Sequence, residues 1–292
     1  MHIKIDFWKI LVLSLLLILI SCSDNEDPIQ QDFSDATQEL DIAYGDHPLQ
    51  NYDLYLPAGR STTSTDLIIL IHGGARNSGD KADVFGIVEL LQATMPTYAI
   101  ANINYRLDID PNNLFADHMA DVASVVTDLT EQNQELGISQ NIIMAGVSAG
   151  GHMTLLYSYA YNTNNYVKIA ANIIGPTYFL DPSYTDGSNP TYLATIAALT
   201  TATGIPLSDI EYYENASPLG AINSSSIPTI QFLGDQDPLI PTTQGTLLQA
   251  ALSNQGIPNK LIIYLGEGHG WTNPDNWTDT AVKLKEFVED NL

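Results

Sequence analysis

Cysteine and basic residues are scarce in this sequence. Its only cysteine is Cys22, so no internal disulfide framework can hold the fold together. Ten Lys and Arg residues stand against 34 Asp and Glu residues, giving a formal net charge of −24, and no basic cluster appears. Because a phosphate backbone is bound by a positive surface, we do not expect nucleic acid as a partner. The same excess of negative charge should repel polyanionic substrates.

Long hydrophobic runs are also missing, apart from residues 10–20, which are apolar except for Ser14. This run is shorter than the roughly 20 residues of a membrane-spanning helix, and it fits the apolar core of a secretory signal. It leads into Leu-Ile-Ser-Cys, ending at Cys22, which resembles a bacterial lipoprotein processing site. We therefore predict a signal peptide over residues 1–21 and a lipid anchor on Cys22. Ordinary cleavage and an uncleaved anchor are the alternatives.

Residues 22–36 are rich in aspartate and glutamate and poor in apolar residues, which predicts a flexible acidic tether. Acidic residues just after a lipid-bearing cysteine also resemble the surface-export signal of some Gram-negative lipoproteins. The expected location is a bacterial membrane outside the cytoplasm, with the outer membrane and the cell surface as options. Residues 37–292 are enough for one large domain with a buried core, and no repeat or second linker divides them.

Short apolar runs alternate with helical patterns along residues 37–292. Residues 39–44 and 51–56 alternate apolar and polar side chains around a Gly-Asp-His-Pro turn, which predicts an antiparallel hairpin at a sheet edge. Further strands are predicted at residues 67–71, 98–104, 142–145, 170–174, 229–233 and 260–265. Helices are predicted at residues 115–131, 244–253 and 278–290. This alternation indicates an α/β fold with a mostly parallel, doubly wound sheet.

The pattern breaks down between residues 176 and 228, which predicts an insertion of loops and short helices. In an open α/β sheet, ligands bind outside the carboxyl ends of the strands, so we expect this insertion to wall a pocket there. Its tyrosines are candidates for stacking on a ligand ring, and core packing is the alternative. They are Tyr178, Tyr184, Tyr192, Tyr212 and Tyr213.

The segment Gly146-Val147-Ser148-Ala149-Gly150 fits the pattern Gly-x-Ser-x-Gly between a predicted strand and a predicted helix. Such a turn holds its middle residue in a strained backbone conformation and lifts the hydroxyl clear of the sheet. The amide of Ala149 points to the same space and is placed to bind an oxyanion. The pattern predicts Ser148 as a nucleophile. A small-residue turn that only packs a helix on a strand is the alternative.

A serine nucleophile needs an adjacent base, and the base needs an orienting acid. His269 is the candidate base, because it lies in a glycine-rich loop after the last predicted strand. Asp235 and Asp237 both follow a predicted strand. We favour Asp237 as the acid because Pro238 fixes the backbone just after it, and Asp235 is then expected to cap the loop. We expect His72 to order its own loop and His152 to be a packing or pocket residue.

Six motifs together resemble the α/β-hydrolase carboxylesterases, and in particular the group with acetyl-esterase and plant-cell-wall feruloyl- or acetyl-esterase members. They occupy residues 72–75, 104–107, 146–152, 216–219, 234–241 and 268–270. The resemblance covers residues 37–291 and implies the α/β-hydrolase fold. It also implies that the amides of Gly73 and Gly74 join Ala149 in an oxyanion hole, and that Arg106 braces nearby loops. Ala75 replaces a third glycine of many members, so we expect its methyl group to line the hole.

The function implied by this resemblance is serine carboxylic-ester hydrolysis through an acyl-enzyme on Ser148, with Asp237 and His269 completing the triad. The expected substrates are acetyl or other short or aromatic acyl esters, carbohydrate esters among them, and no metal or organic cofactor is needed. A peptidase on the same fold usually carries an N-terminal propeller, for which 292 residues leave no room. The other alternative is a catalytically silent surface lipoprotein that binds glycan or a protein partner. The sequence predicts no oligomeric state.

Overall fold

The computed structural model describes residues 32–107, 114–187 and 189–292. The predicted signal peptide, the predicted lipid site Cys22 and most of the predicted tether lie outside the described residues. Phe33–Leu292 is a compact unit, which begins four residues before the predicted domain boundary at residue 37. Among the described residues, no helix combines the length and the apolar character needed to cross a membrane.

Eight strands of the described part form a sheet with the order β1-β2-β4-β3-β5-β6-β7-β8. They are β1 Thr37–Ala43, β2 Asn51–Leu56, β3 Leu67–Ile71, β4 Ala99–Ile103, β5 Ile142–Val147, β6 Val167–Ile173, β7 Thr229–Gly234 and β8 Asn259–Tyr264. β2 pairs antiparallel with β1 and with β4, and the other neighbours pair parallel. Every residue of β3 and β4 is buried, because helices cover both faces of the sheet. The predicted α/β sheet with its antiparallel edge is confirmed.

Helices were predicted at the positions of four of the eight α-helices in the described residues, namely those at residues 114–131, 149–156, 243–254 and 274–291. The eight helices are α1 Phe85–Thr94, α2 Leu114–Glu131, α3 Asn133–Leu136, α4 Ala149–Leu156, α5 Pro190–Thr203, α6 Ile210–Ala216, α7 Thr243–Asn254 and α8 Pro274–Asn291. α8 begins four residues before its predicted start, because the Asn273 side chain caps it and proline suits its first turn. The sequence did not predict α1, which buries only Val88 and Leu91 and has Gly86 in its first turn.

Two apolar layers pack on opposite faces of the sheet. One contains side chains of α2, α4 and α7, and the other contains side chains of α1 and α8. The insertion at residues 176–228 folds around a small core of its own, in which Tyr184 and Tyr213 are buried. It is fixed to α7 by the buried Gln244, whose Oε1 accepts hydrogen bonds from the amides of Thr177 and Tyr178 at 2.7 and 2.8 Å.

The start of the compact unit generates a stability prediction. The carbonyl of Phe33 accepts a hydrogen bond from the Gly59 amide at 2.7 Å, and the Arg60 guanidinium lies 4.8 Å from the Phe33 ring centroid. Arg60 also donates to the Asp35 carbonyl at 2.8 Å. A chain that begins at residue 37 should therefore unfold about 2–4 °C below one that begins at residue 33, from a loss of about 1 kcal/mol.

Thermal unfolding of the two chains, followed by circular dichroism, measures this difference. Phe33→Ala in the longer chain should reproduce only part of the drop, because it removes the ring and keeps the carbonyls of Phe33 and Asp35 as acceptors. Equal midpoints for all three proteins would show that residues 33–36 add no stability.

Candidate active site

Ser148 lies at the turn between β5 and α4, at the carboxyl end of the sheet. Its backbone has φ +54° and ψ −116°, a region that residues other than glycine rarely adopt. The Ser148 amide donates to the Ile173 carbonyl at 2.8 Å, and the Ser148 carbonyl accepts from the His152 amide at 3.0 Å. These bonds to β6 and α4 hold the strained conformation in place.

The glycines around Ser148 are required by close backbone contacts. A Cβ atom on Gly150 would lie 2.1 Å from the Ile71 carbonyl oxygen, and one on Gly146 would lie 2.2 Å from the Gly150 carbonyl oxygen. Both distances are far shorter than van der Waals contact. The glycines of the Gly-x-Ser-x-Gly pattern are therefore required because α4 starts directly against the end of β3.

The three side chains predicted as a triad lie in one hydrogen-bonded chain. His269 Nε2 is 2.8 Å from Ser148 Oγ, and His269 Nδ1 is 2.8 Å from Asp237 Oδ2. The second oxygen of Asp237 accepts from the amides of Leu239 and Ile240 at 2.8 and 3.0 Å. Asp237 is 2% exposed, so its carboxylate is held by protein donors in place of water. With Nδ1–H donating to Asp237, Nε2 is left to accept the serine proton.

The structure also separates the two candidate acids. Asp235 Oδ1 accepts from the Gly266 amide at 2.6 Å and so caps the turn after β8. The loop of Asp237 is supported from the insertion, where the Tyr192 hydroxyl donates to the Asp237 carbonyl at 3.0 Å. Asp237 is thus the aspartate that contacts His269.

The predicted oxyanion-hole residues lie next to the nucleophile. A Cβ atom on Gly73 would be 3.2 Å from Ser148 Cβ, so the Gly73 backbone runs against the serine. Gly73, Gly74, Ser148 and His269 line the same cleft. Ala149 is the first residue of α4, where amides have no partner within the helix.

Ala75 differs from its expectation. It has φ +51° and is exposed, and it is not among the residues that line the cleft. The turn that begins at Gly74 directs the Ala75 methyl group to solvent, so the expectation that this methyl lines the site is wrong.

A buried cation fixes the loop that follows Ala75, and sequence reasoning did not identify it. Arg76 is 4% exposed, contacts His152 Nδ1 through Nη2, and lies 4.7 Å from the Phe115 ring centroid. His152 Nε2 donates to the Ala216 carbonyl at 2.7 Å. Burial and the neighbouring Arg76 lower the pKa of His152, so its neutral ring accepts from the guanidinium, whose own pKa burial lowers to about 10. The pair joins the oxyanion loop, α4 and the insertion.

His72 and Arg106 hold loops near the site, as expected from the sequence. His72 Nδ1 donates to the Gly73 carbonyl at 2.6 Å, and its ring stacks on Tyr105 with centroids 4.4 Å apart. Burial lowers the pKa of His72, which keeps the ring neutral against that stack. Arg106 pairs with the buried Asp121 of α2, with Nη2 and Oδ1 2.7 Å apart.

The cleft at Ser148 has a volume of about 680 Å³. Its walls come from the 3₁₀ turn Lys81–Val84, from α1, and from the start of α8. The lining residues are Gly73, Gly74, Asp83, Val84, Gly86, Ile87, Leu90, Val147, Ser148, Ile174, His269, Gly270, Pro274, Trp277 and Thr278. None belongs to the insertion at residues 176–228, so the expectation that the insertion walls this pocket is wrong. The aromatic side chains of the insertion pack on one another, and the insertion contacts the loop of Asp237 through Tyr192 instead.

Glu267, which the sequence analysis also missed, holds the loop that carries His269. Its carboxylate is 3% exposed and accepts from the Thr272 amide at 2.6 Å, the Thr272 hydroxyl at 2.9 Å, the Asn273 amide at 3.0 Å and Asn276 Nδ2 at 2.7 Å. These bonds, led by the one from the Thr272 amide, lower the pKa of Glu267 to about 2. One carboxylate therefore closes the His269 loop onto the start of α8.

This lowered pKa predicts how stability depends on pH. Because the folded pKa lies below the unfolded value, Glu267 stabilises the fold fully above about pH 4.5, and the contribution is lost as the pH falls through about 2. Glu267→Gln puts an amide group where four donors converge. The variant should have a lower melting temperature at pH 7, and its deficit should shrink between pH 5 and pH 2. Melting curves across this range measure the effect.

Glu286→Gln is the matched control, since Glu286 is exposed on α8 and the same change should leave the melting temperature nearly constant. A deficit for Glu267→Gln that is absent, or that does not change with pH, would contradict this role of the carboxylate.

The strand order, with a serine after β5, an aspartate after β7 and a histidine after β8, defines an α/β-hydrolase. The sequence profile of the BD-FAE family matches residues 52–252, more than half of the chain. The chain therefore belongs to the BD-FAE family, among the α/β-hydrolase carboxylesterases.

Individual relatives are distant. The chain is 24% identical over 246 residues to Esterase LipC of Mycobacterium tuberculosis, covering 79% of this chain and 59% of that one. It is 23% identical over 263 residues to Dipeptidyl peptidase family member 6 of Caenorhabditis elegans, covering 85% and 33%. The chain thus spans between one third and three fifths of these curated relatives. A truncated carbohydrate esterase from gut microbiota superposes with a TM-score of 0.73 at 20% identity, covering 89% of this chain and 98% of that chain, which shows the shared fold.

Proposed function

We propose that this protein is a carboxylic-ester hydrolase that works through an acyl-enzyme on Ser148. The observation that carries the proposal is the hydrogen-bonded chain from Asp237 through His269 to Ser148, beside an open cleft. Membership of the BD-FAE family supports it, and Esterase LipC and the gut carbohydrate esterase are relatives named for this activity.

The mechanism follows from the geometry. Ser148 Oγ attacks the ester carbonyl while His269 Nε2 takes the hydroxyl proton, and Asp237 stabilises the resulting imidazolium. The amides of Ala149 and of Gly73 or Gly74 receive the negative charge on the carbonyl oxygen. His269 then gives its proton to the departing alcohol. It next takes a proton from the water that attacks the acyl-enzyme, and gives that proton to Ser148 Oγ as the bond to the acyl group breaks and the acid leaves.

The proposed substrates are acetyl or other short or aromatic acyl esters, carbohydrate esters among them. A net charge of −24 disfavours polyanionic molecules. The mechanism uses only side chains and amides of the chain, so no metal or organic cofactor enters it.

The same assays distinguish two alternative functions from ester hydrolysis. A silent surface lipoprotein that binds glycan or a protein would neither hydrolyse esters nor be labelled on Ser148 by a fluorophosphonate. The name of the C. elegans relative suggests a peptidase as an alternative. A peptidase would cleave peptide amides faster than esters of similar size.

Loss of the nucleophile or the base should abolish esterase activity. Ser148→Ala and His269→Ala should each reduce hydrolysis of a p-nitrophenyl ester to background, and the double variant should cost little more, because triad members act as a unit. Circular dichroism of each variant checks that it is folded. A Ser148→Ala protein that kept a tenth of the wild-type rate would show that another residue is the nucleophile.

The same assay tests the acid. Asp237→Asn should lower kcat on the order of 10⁴-fold, because the amide favours the wrong imidazole tautomer. Asp235→Asn is the matched control and should cost far less, since Asp235 contacts a backbone amide and not His269. The reverse order of effects would move the acid to Asp235.

We also propose that the mature protein begins at Cys22, carries lipid there, and is held on a membrane outside the cytoplasm by a tether over residues 22–36. The support is the apolar run of residues 10–20 that leads to the only cysteine, followed at once by acidic residues. Each buried methylene of an acyl chain contributes about 0.8 kcal/mol, so two or three chains outweigh repulsion of the acidic tether.

This proposal predicts the fate of a single variant. Wild-type protein expressed in a bacterium should partition into detergent and give a lipid-modified N-terminal peptide by mass spectrometry. Cys22→Ser lacks the thiol that carries the lipid, so it should give uncleaved precursor or a soluble, unlipidated product. A wild-type protein with an intact Met1, or with a cleaved but unmodified Cys22, would exclude the lipid anchor.

A further inference from the structure

The lining of the cleft at Ser148 is predominantly apolar. Most of the side chains that line it are apolar, namely Val84, Ile87, Leu90, Val147, Ile174, Pro274 and Trp277. Apart from the triad residues, the polar lining side chains are Asp83 and Thr278, and no lysine or arginine is among the lining residues. A polyhydroxylated ring buried here would leave most of its hydroxyl groups without partners, and an anion would face the Asp83 carboxylate.

Gly86 keeps one wall of this cleft open. It lies in the first turn of α1, is exposed, and lines the cleft. A Cβ atom at this position would meet no atom within 4 Å, and the backbone there is not left-handed. Neither packing nor backbone conformation therefore requires glycine at residue 86, although glycine weakens a helix. What the absence of a side chain provides is space in the cleft.

Trp277 also lines the cleft and is held firmly. Its Nε1 donates to the Trp271 carbonyl at 3.0 Å, and the centroids of the two indole rings lie 5.6 Å apart. The indole is thus a fixed apolar surface at the start of α8, in the same cleft that Gly86 lines. The cleft volume of about 680 Å³ is within the usual range of small-molecule sites and exceeds the need of an acetyl group.

We propose that the cleft lined by α1 and by the start of α8 binds an uncharged, apolar group of the ester substrate that is larger than acetyl, and that Gly86 and Trp277 determine which groups fit. This inference rests on the proposed ester hydrolysis. The apolar group is attached either to the carbonyl carbon, as the acyl chain, or to the ester oxygen, as the alcohol. Any polyhydroxylated part of a substrate then lies outside the cleft.

Two series of esters test the proposal and distinguish the sources of the apolar group. The first varies the acyl chain from acetyl through butyryl to octanoyl on p-nitrophenol, and the second varies the alcohol of an acetate from ethanol to 2-naphthol. In one series, the wild-type kcat/KM should rise with the size of the apolar group, by up to about fourfold for each buried methylene. The responding series identifies the part of the substrate that the cleft binds.

Substitution of Gly86 should remove this preference. Gly86→Leu puts a side chain into the cleft that Trp277 also lines, and should lower kcat/KM for the largest ester of the responding series by about tenfold or more, while the smallest ester changes less than about twofold. Gly86→Ala should have an intermediate effect. Both variants should melt at or above the wild-type temperature, because alanine and leucine favour a helix over glycine and a Cβ atom at residue 86 would meet no atom within 4 Å.

Ala93→Leu is the matched control, because Ala93 is exposed on α1 and does not line the cleft. It should leave both series unchanged. A neutral ester should also be preferred by about tenfold or more over one of equal length that ends in a carboxylate. If Gly86→Leu lowered all esters equally, or none, while Ser148-dependent hydrolysis persisted, the inference would be wrong and the proposed function would stand. If wild-type protein hydrolysed no ester, the proposed function itself would fail.

Discussion

The structure depends on one close approach, where the start of α4 lies against the end of β3. A Cβ on Gly150 would be 2.1 Å from the carbonyl oxygen of Ile71, the last residue of β3. The loop that leaves β3 immediately passes Ser148, since Gly73 lies against the serine side chain. The position of Ser148, the proposed nucleophile, and the position of the Gly73 loop, the proposed oxyanion site, are therefore set by the same contact.

Long loops at the carboxyl edge of the sheet carry the rest of the site, and each is held by a buried charged side chain that contacts several groups. Arg76 fixes the loop after β3 through His152 and Phe115. Asp237 binds two amides of its own loop as well as His269, and Glu267 binds four donors between His269 and α8. Because buried charges are costly without partners, these loops are well ordered only in the arrangement that supplies all of them.

The difference between residues fixed by close backbone contacts and residues fixed by buried charges explains which parts of the site were predictable. Backbone contacts that exclude a Cβ leave glycines in the sequence, so Ser148 was identified from local pattern, and the glycine-rich loop pointed to His269. Asp235 and Asp237 follow the same strand, and only the fold shows which of them contacts His269. Arg76 and Glu267 left no local signal, because their partners come from distant segments or from backbone amides. The walls were misassigned to the insertion because α1 was not identified, although Ile87, Val88 and Leu91 have helical spacing.

The residues of α1 serve both the core and the cleft. Val88 and Leu91 are buried, Ile87 packs against the same core and also lines the cleft, and Gly86 lines the cleft without a side chain. Groups that perform chemistry are fixed by backbone contacts and buried charges, where almost any substitution disturbs the fold. In the proposed function, the groups that contact the remainder of a substrate lie on α1 and at the start of α8, and a Cβ atom at Gly86 would meet no atom within 4 Å. In this chain, the specificity of the cleft can therefore change while the Ser148 geometry is preserved, because different contacts determine the two.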